Sequence, residues 1–150
     1  MKFILSILLI CVFGLSCRIC VGPTDLEVTA KGTYYIDFMP IIPADGRHLS
    51  ATITVTVTNL SFVDAMEFVT TKAILYYAGT TDVFDMVELS GSLETISAGE
   101  TMRFEYIGKS SKTYTPETFD ADSLYAKVHV KWCSGKKVIT TPTEEVTILW

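Results

Sequence analysis

The sequence predicts an all-β domain, a two-sheet immunoglobulin-like sandwich of seven to eight antiparallel strands behind an N-terminal signal segment. Three observations carry this. From residue 26 onward apolar and polar residues alternate with period two, and no stretch holds a 3.6-residue period. Turn-forming residues interrupt the alternation about every 8–15 residues. The chain holds 20 Thr against one Asn and no Gln, and β-branched side chains sit well on a pleated face.

Taken in order, residues 26–29 and 33–38 alternate on either side of Gly32, which reads as a break between two short strands. The segment 40–46 carries Pro40, Pro43 and Gly46 and reads as a loop. Residues 51–58 are the clearest strand: Ile53, Val55 and Val57 share one face and Thr52, Thr54, Thr56 and Thr58 the other, so one face is buried and one is wet. Further strands fall at 69–77, 83–89, 92–96 and 101–107, separated by Ala78-Gly79 and Ala98-Gly99 among others. Residues 108–116 read as a loop. Residues 123–133 turn Leu124, Ala126, Val128, Val130 and Trp132 inward and Tyr125, Lys127, His129 and Lys131 outward. Ser134-Gly135 makes a tight hairpin turn into 136–140, and 146–150 is the last strand. Strands of this length in about 125 residues fit two packed sheets, with a jelly roll or small barrel as the rival.

The amino terminus is an address. Lys2 precedes the apolar stretch 3–15, which is shorter than the roughly 20 residues a spanning helix needs and suits a signal segment, residues 1–16, followed by a linker, 17–25, and the domain, 26–150. Gly14 and Ser16 are the small residues expected before a cut ahead of Cys17. The same site resembles a bacterial-type lipoprotein signal, which implies lipidation of Cys17. An uncleaved anchor is the third alternative. All three place the domain in the extracellular space or at the cell surface, and two of them tether it to a membrane through its N-terminus.

Of the four cysteines, Cys11 belongs to the apolar stretch, which leaves Cys17, Cys20 and Cys133. With Cys17 lipidated, Cys20 and Cys133 are free to form a disulfide. The alternative Cys17-x-x-Cys20 redox or zinc pair lacks the βαβ setting or the two further ligands it needs.

Residues 54–59 (Thr-Val-Thr-Val-Thr-Asn), 73–79 (Ala-Ile-Leu-Tyr-Tyr-Ala-Gly), 97–101 (Ser-Ala-Gly-Glu-Thr) with Phe104, and 125–130 (Tyr-Ala-Lys-Val-His-Val) together resemble the CARDB group of immunoglobulin-like extracellular domains. The likeness spans about two thirds of the chain, residues 49–147. It implies a cell-surface adhesion, spacer or assembly module without catalytic activity or cofactor, whose partners are proteins or further copies of itself.

Individual residues carry narrower expectations. Asn59-Leu-Ser61 is an N-glycosylation sequon built on the one Asn of the chain, and Asn59 also suits a strand-ending turn. Glu117, Asp120 and Asp122 are oxygen donors for Ca²⁺ but lack an EF-hand pattern. His48 and His129 stand apart from any nucleophile motif, and no catalytic signature is present, so no enzyme is expected. Tyr35, Tyr77 and Tyr125 would suit a carbohydrate-binding module if they lay on one exposed plane. An extracellular filament built by strand donation would use 26–38 or 146–150 as donor. Nucleic acid is not expected as a partner. The net charge is −5, residues 17–150 hold 11 Lys and Arg against 17 Asp and Glu, and the longest basic run is Lys136-Lys137.

Overall fold

The computed structural model describes residues 20–39, 43 and 45–150. The signal segment, Cys17 and the start of the linker therefore lie outside the described residues. Among the described residues there are nine strands: β1 (Glu27–Asp37), β2 (Arg47–Thr58), β3 (Ala65–Tyr77), β4 (Val83–Glu88), β5 (Glu94–Ile96), β6 (Thr101–Tyr114), β7 (Ser123–Trp132), β8 (Gly135–Thr140) and β9 (Glu144–Leu149). The class is all-β, as the period-two pattern dictates.

The count and the pairing differ from the expectation. There are nine strands, and β1 pairs with β9 in parallel. Pairing is continuous in the order β5-β3-β4-β6-β2-β1-β9-β7-β8, and β3 also pairs with β7. Seven strands therefore close a ring, β1-β2-β6-β4-β3-β7-β9, on which β5 and β8 hang as outer members. Two seams of the ring are short. One is the single pair Val87↔Ser110 between β4 and β6. The other is Ser123↔Glu145 and Leu124↔Glu144 between β7 and β9.

Two glycines explain where the reading of strand ends was too short. Gly32 does not break β1; it stays in register opposite Ile53, and a Cβ there would sit 2.4 Å from the Tyr34 hydroxyl. It makes room for a ring that is itself buried in the core. Gly108 does not end β6, which runs on to Tyr114. A Cβ at Gly108 would sit 2.3 Å from Val87 Cγ1, so its absence lets β6 press against β4 and close the ring.

The second seam has a different cause. β8 leaves β7 after Thr140, and Pro142 has no N–H to continue the ladder. At that point the Thr141 hydroxyl accepts from the Ala126 N–H at 2.9 Å while the Thr141 N–H donates to the Ala126 carbonyl. The chain then crosses to β1, where residues from Val146 pair with residues from Tyr34.

One core fills the ring. Ile53, Val55 and Val57 from β2, Ala73 and Leu75 from β3, and Leu124, Ala126 and Val128 from β7 are fully buried, with Tyr34 and Ile36 from β1 beside them. Phe84, Tyr114 and Phe119 pack as an aromatic group at the β4–β6 side, with ring centroids 5.1–5.8 Å apart. Asp85 is buried against them. Its carboxylate accepts from the Tyr114 hydroxyl at 2.8 Å, the Lys112 N–H at 3.1 Å, the Ser111 hydroxyl and its neighbour Met86 N–H at 2.7 Å.

Candidate functional site

The outward face of β4, β3, β7 and β8 gathers most of the chemistry. Cross-strand register sets its side chains in rows. Glu88, Lys72, His129 and Val138 form one, and Met86, Ile74, Lys127 and Thr140 the next. Tyr76 stands opposite Tyr125, and Lys131 opposite Lys136. Along β7 these positions alternate with core residues, so the period-two pattern that buries Leu124 through Trp132 also drives Lys127 and Lys131 outward.

Residues directly opposite on neighbouring strands have Cβ atoms about 4.5–5.5 Å apart, and like charges there are destabilising. This face holds one such pair, Lys131 with Lys136, and sets Lys72 between Glu88 on β4 and His129 on β7. Burial and, to a smaller degree, the Lys72 charge hold the His129 imidazole below its ordinary pKa. Lys127 Nζ lies 4.8 Å over the Tyr76 ring, and Tyr76 stacks on Tyr125 at 5.1 Å. Among the described residues, none of Lys72, Lys127, Lys131 and Lys136 forms an ion pair. Lys137 is the contrast: on the other side of β8, it meets Asp25 at 2.9 Å. A shallow groove of about 360 Å³ runs along β7 and β8 between His129, Lys131, Lys136 and Val138.

A clustered basic face is what the sequence reading missed. Runs of Lys and Arg along the chain are short, whereas strands assemble cations across it. The signal was present in the alternation Tyr125, Lys127, His129, Lys131, which needed the β3 and β8 registers to become a patch.

The residues singled out in the sequence fall in several places. Cys20 and Cys133 are joined by a disulfide with Cα atoms 5.3 Å apart. Asn59 is fully buried. Its Nδ2 donates to the Val63 carbonyl at 2.8 Å and the Ile96 carbonyl at 3.0 Å, and its Oδ1 accepts from the Ser61 N–H and hydroxyl. Both amide hydrogens are spent, so a glycan on Nδ2 is incompatible with this packing. In this packing Asn59 serves as the strand-ending turn residue.

Tyr35, Tyr77 and Tyr125 do not form a plane. Tyr77 packs edge-on against Phe84 and donates to Asp120 at 2.9 Å, Tyr125 stacks on Tyr76 and donates to the Thr80 carbonyl at 2.7 Å, and Tyr35 lies on the outer face of β1. No group of three or more metal-ligating side chains occurs among the described residues, and Asp120 is engaged by Tyr77. His48 Nδ1 donates to the Ser110 carbonyl at 2.8 Å, with the Lys112 carbonyl at 3.1 Å. It borders an open cleft of about 480 Å³ where Asp37 and Asp45 face Lys109. Both candidate donor strands pair within their own chain, β1 along β2 and β9 along β1.

No protein-family model matches the chain, and no curated protein matches it. The likeness to the CARDB group rests on the four quoted stretches alone. Among solved structures, the Northeast Structural Genomics Consortium target SoR45 is similar at 16% identity over 81% of this chain and 86% of that one, with a TM-score of 0.41. That likeness carries no information on activity.

Proposed function

We propose that this chain is a non-catalytic adhesion or assembly module of the cell surface or extracellular space, and that its β4-β3-β7-β8 face holds an anionic polysaccharide. The observation that carries the reading is the gathering of Lys72, Lys127, Lys131 and Lys136 on one face, with Lys131 directly opposite Lys136, on a chain of net charge −5. A chain with more acids than bases has carboxylates to spare for neutralising lysines. Gathering four lysines without an ion pair on one face, two of them directly opposite each other, costs stability that a bound polyanion returns. The Cys20–Cys133 disulfide supports the compartment, because such bonds persist in oxidising surroundings. Assembly by strand donation is the less favoured reading, since no free donor strand exists among the described residues.

The test is retention on immobilised dextran sulfate against neutral dextran at low salt. The expected result is retention on the sulfated matrix only, released by salt, with Lys72→Glu and Lys127→Glu each eluting earlier. Lys31→Glu, on the outer face of β1, is expected to elute as the parent does. Equal behaviour of all three variants would sink the proposal.

A further inference from the structure

One end of the ring carries apolar side chains that the fold holds in water on purpose. The loop between β2 and β3 exposes Leu60 and Val63 and leaves Phe62 fully exposed. Loop tips are ordinarily small and polar, and an exposed apolar cluster marks an interaction site. This loop is also rigid. Buried Asn59 ties it to Val63 and Ile96, and Ser61 is bonded to Asn59 and to the Val63 carbonyl at 2.7 Å. The Asp64 carboxylate accepts from the Ala98 N–H at 2.9 Å, and the Gly99 N–H donates to the Asn59 carbonyl at 2.8 Å. Next to it a bulge in β3, where the register shifts between Ala65 and Phe68 and Glu67 has φ 57°, leaves Met66 half out in solvent.

The chain enters the domain at this same end. The Cys133 N–H donates to the Met66 carbonyl at 2.8 Å, and Cys133 is bonded to Cys20. A Cβ on Gly22 would sit 3.3 Å from the Asp64 carbonyl oxygen, so the entering segment passes directly beside the loop. Cys20 lies five positions beyond Leu15, the end of the apolar stretch, and three positions beyond Cys17. Fully extended, those spans reach about 17 Å and about 10 Å. The C-terminal strand β9 ends beside Asp37, at the opposite end of β1.

We infer that this end is a membrane-docking surface, with Leu60, Phe62, Val63 and Met66 inserted into the interface of a bilayer to which the N-terminal segment tethers the domain. The inference rests on the reading of that segment as a retained anchor, lipidated at Cys17 or uncleaved. Either tether is too short to hold the disulfide far from the bilayer, so the apolar loop meets lipid. At the same end Asp64 and Glu100 are spent on turn N–H groups and Lys131 and Lys136 flank the β7–β8 turn, so a zwitterionic surface, which offers the lysines no net charge, isolates the apolar contribution. Four apolar side chains add to an anchor that one acyl chain alone makes weak and reversible.

The test uses the full chain on phosphatidylcholine vesicles, with brominated phosphatidylcholine as quencher. Phe62→Trp is compared with Ile107→Trp, whose position is exposed on the outer face of β6, well away from the loop. The expected result is flotation with the vesicles, with Phe62→Trp emission shifted to the blue and reduced by the brominated lipid. Ile107→Trp emission is expected to be the same on brominated and ordinary phosphatidylcholine, apart from any change the parent itself shows. Flotation with both variants unquenched would overturn the docking surface and leave the anchor standing. Absence of flotation would overturn both. A Phe62→Trp emission that shifts with protein concentration, and not with lipid, would assign the loop to a second copy and overturn the inference.

Discussion

Lys72 stands directly opposite His129 across the β3–β7 ladder, and burial together with that neighbouring ammonium depresses the imidazole's affinity for a proton. The unfolded chain then protonates first as pH falls. The stability contributed by neutral His129 is present above the ordinary value of about 6.5 and is lost as pH drops through the window below it. A bound polyanion reverses the balance by neutralising Lys72, Lys131 and Lys136 around the ring, so binding takes up a proton. Retention on dextran sulfate is expected to strengthen between pH 7 and pH 5.5, and His129→Gln to flatten most of that gain. The measurement is the eluting salt concentration of both proteins across that pH range.

Asp85 carries the opposite sign. Burial pushes its carboxyl up, but the hydrogen bonds from Ser111, Met86 N–H, Tyr114 and Lys112 N–H outweigh that and hold it below the usual range. Its contribution to stability is therefore present above about pH 4 and is lost as pH falls through the lowered folded value. Burial and the Asp85 charge raise the Tyr114 hydroxyl, which stays a donor throughout. Asp85→Ala strands the Tyr114 hydroxyl and the Lys112 N–H and is expected to cost about 1–3 kcal/mol, read from urea midpoints at pH 7. The same variant should lose less stability than the parent between pH 5 and pH 2.

Gly108 is where β6 touches β4. A Cβ there meets Val87 Cγ1 at 2.3 Å and the Glu88 carbonyl at 2.8 Å, and the second contact is backbone that cannot rotate away. Gly108→Ala is expected to cost about 1–3 kcal/mol, the usual range for overpacking. Gly108→Ala combined with Val87→Ala should recover only part of it, because the Glu88 contact remains. Thermal denaturation of the two variants against Val87→Ala separates the contributions.

The Cys20–Cys133 bond joins positions 113 apart in sequence. Loops of that length give about 3–5 kcal/mol through the unfolded chain. The entering segment is also held without the disulfide, since Trp132 Nε1 and the Ser134 hydroxyl each donate to the Pro23 carbonyl at 2.7 Å. Cys20→Ser with Cys133→Ser should therefore fold, with a denaturation midpoint equal to that of the reduced parent and indifferent to reductant. A midpoint in the parent that reductant leaves unchanged would remove the disulfide from the account of stability.

How far the sequence carried these conclusions depended on whether a signal was local. The alternation in 51–58 and 123–133 gave both strands and their buried faces, because period two needs no partner to be visible. Gly32 and Gly108 misled for the same reason: each reads locally as a break, yet each makes room for a distant side chain, Tyr34 in one case and Val87 in the other. The parallel β1–β9 pair and the ring closure are long-range registers with no local mark. The basic face was half legible, since β7 showed its outward lysines and only the registers with Lys72 and Lys136 made them a patch. The apolar loop at 60–63 has no local mark beyond the strand-ending Asn59, because its exposure follows from the way Asn59 is tied down.

Asn59 decides that loop. Its amide group supplies two donors to Val63 and Ile96 and one acceptor to Ser61, so no single isostere serves both sides. Asn59→Asp keeps the Ser61 bonds but turns a buried charge toward two carbonyl oxygens, and it is expected to be at least as destabilising as Asn59→Ala, by about 2–3 kcal/mol or more. Ser61→Ala removes only the lesser side and should cost about 1 kcal/mol. The same geometry governs modification. In a host that glycosylates Asn-x-Ser sequons, folded protein recovered from the medium is expected to lack a glycan at Asn59, while Ser61→Ala changes stability without changing the mass pattern. A fully glycosylated Asn59 in protein with the parent's denaturation midpoint would show that the loop has another stable arrangement.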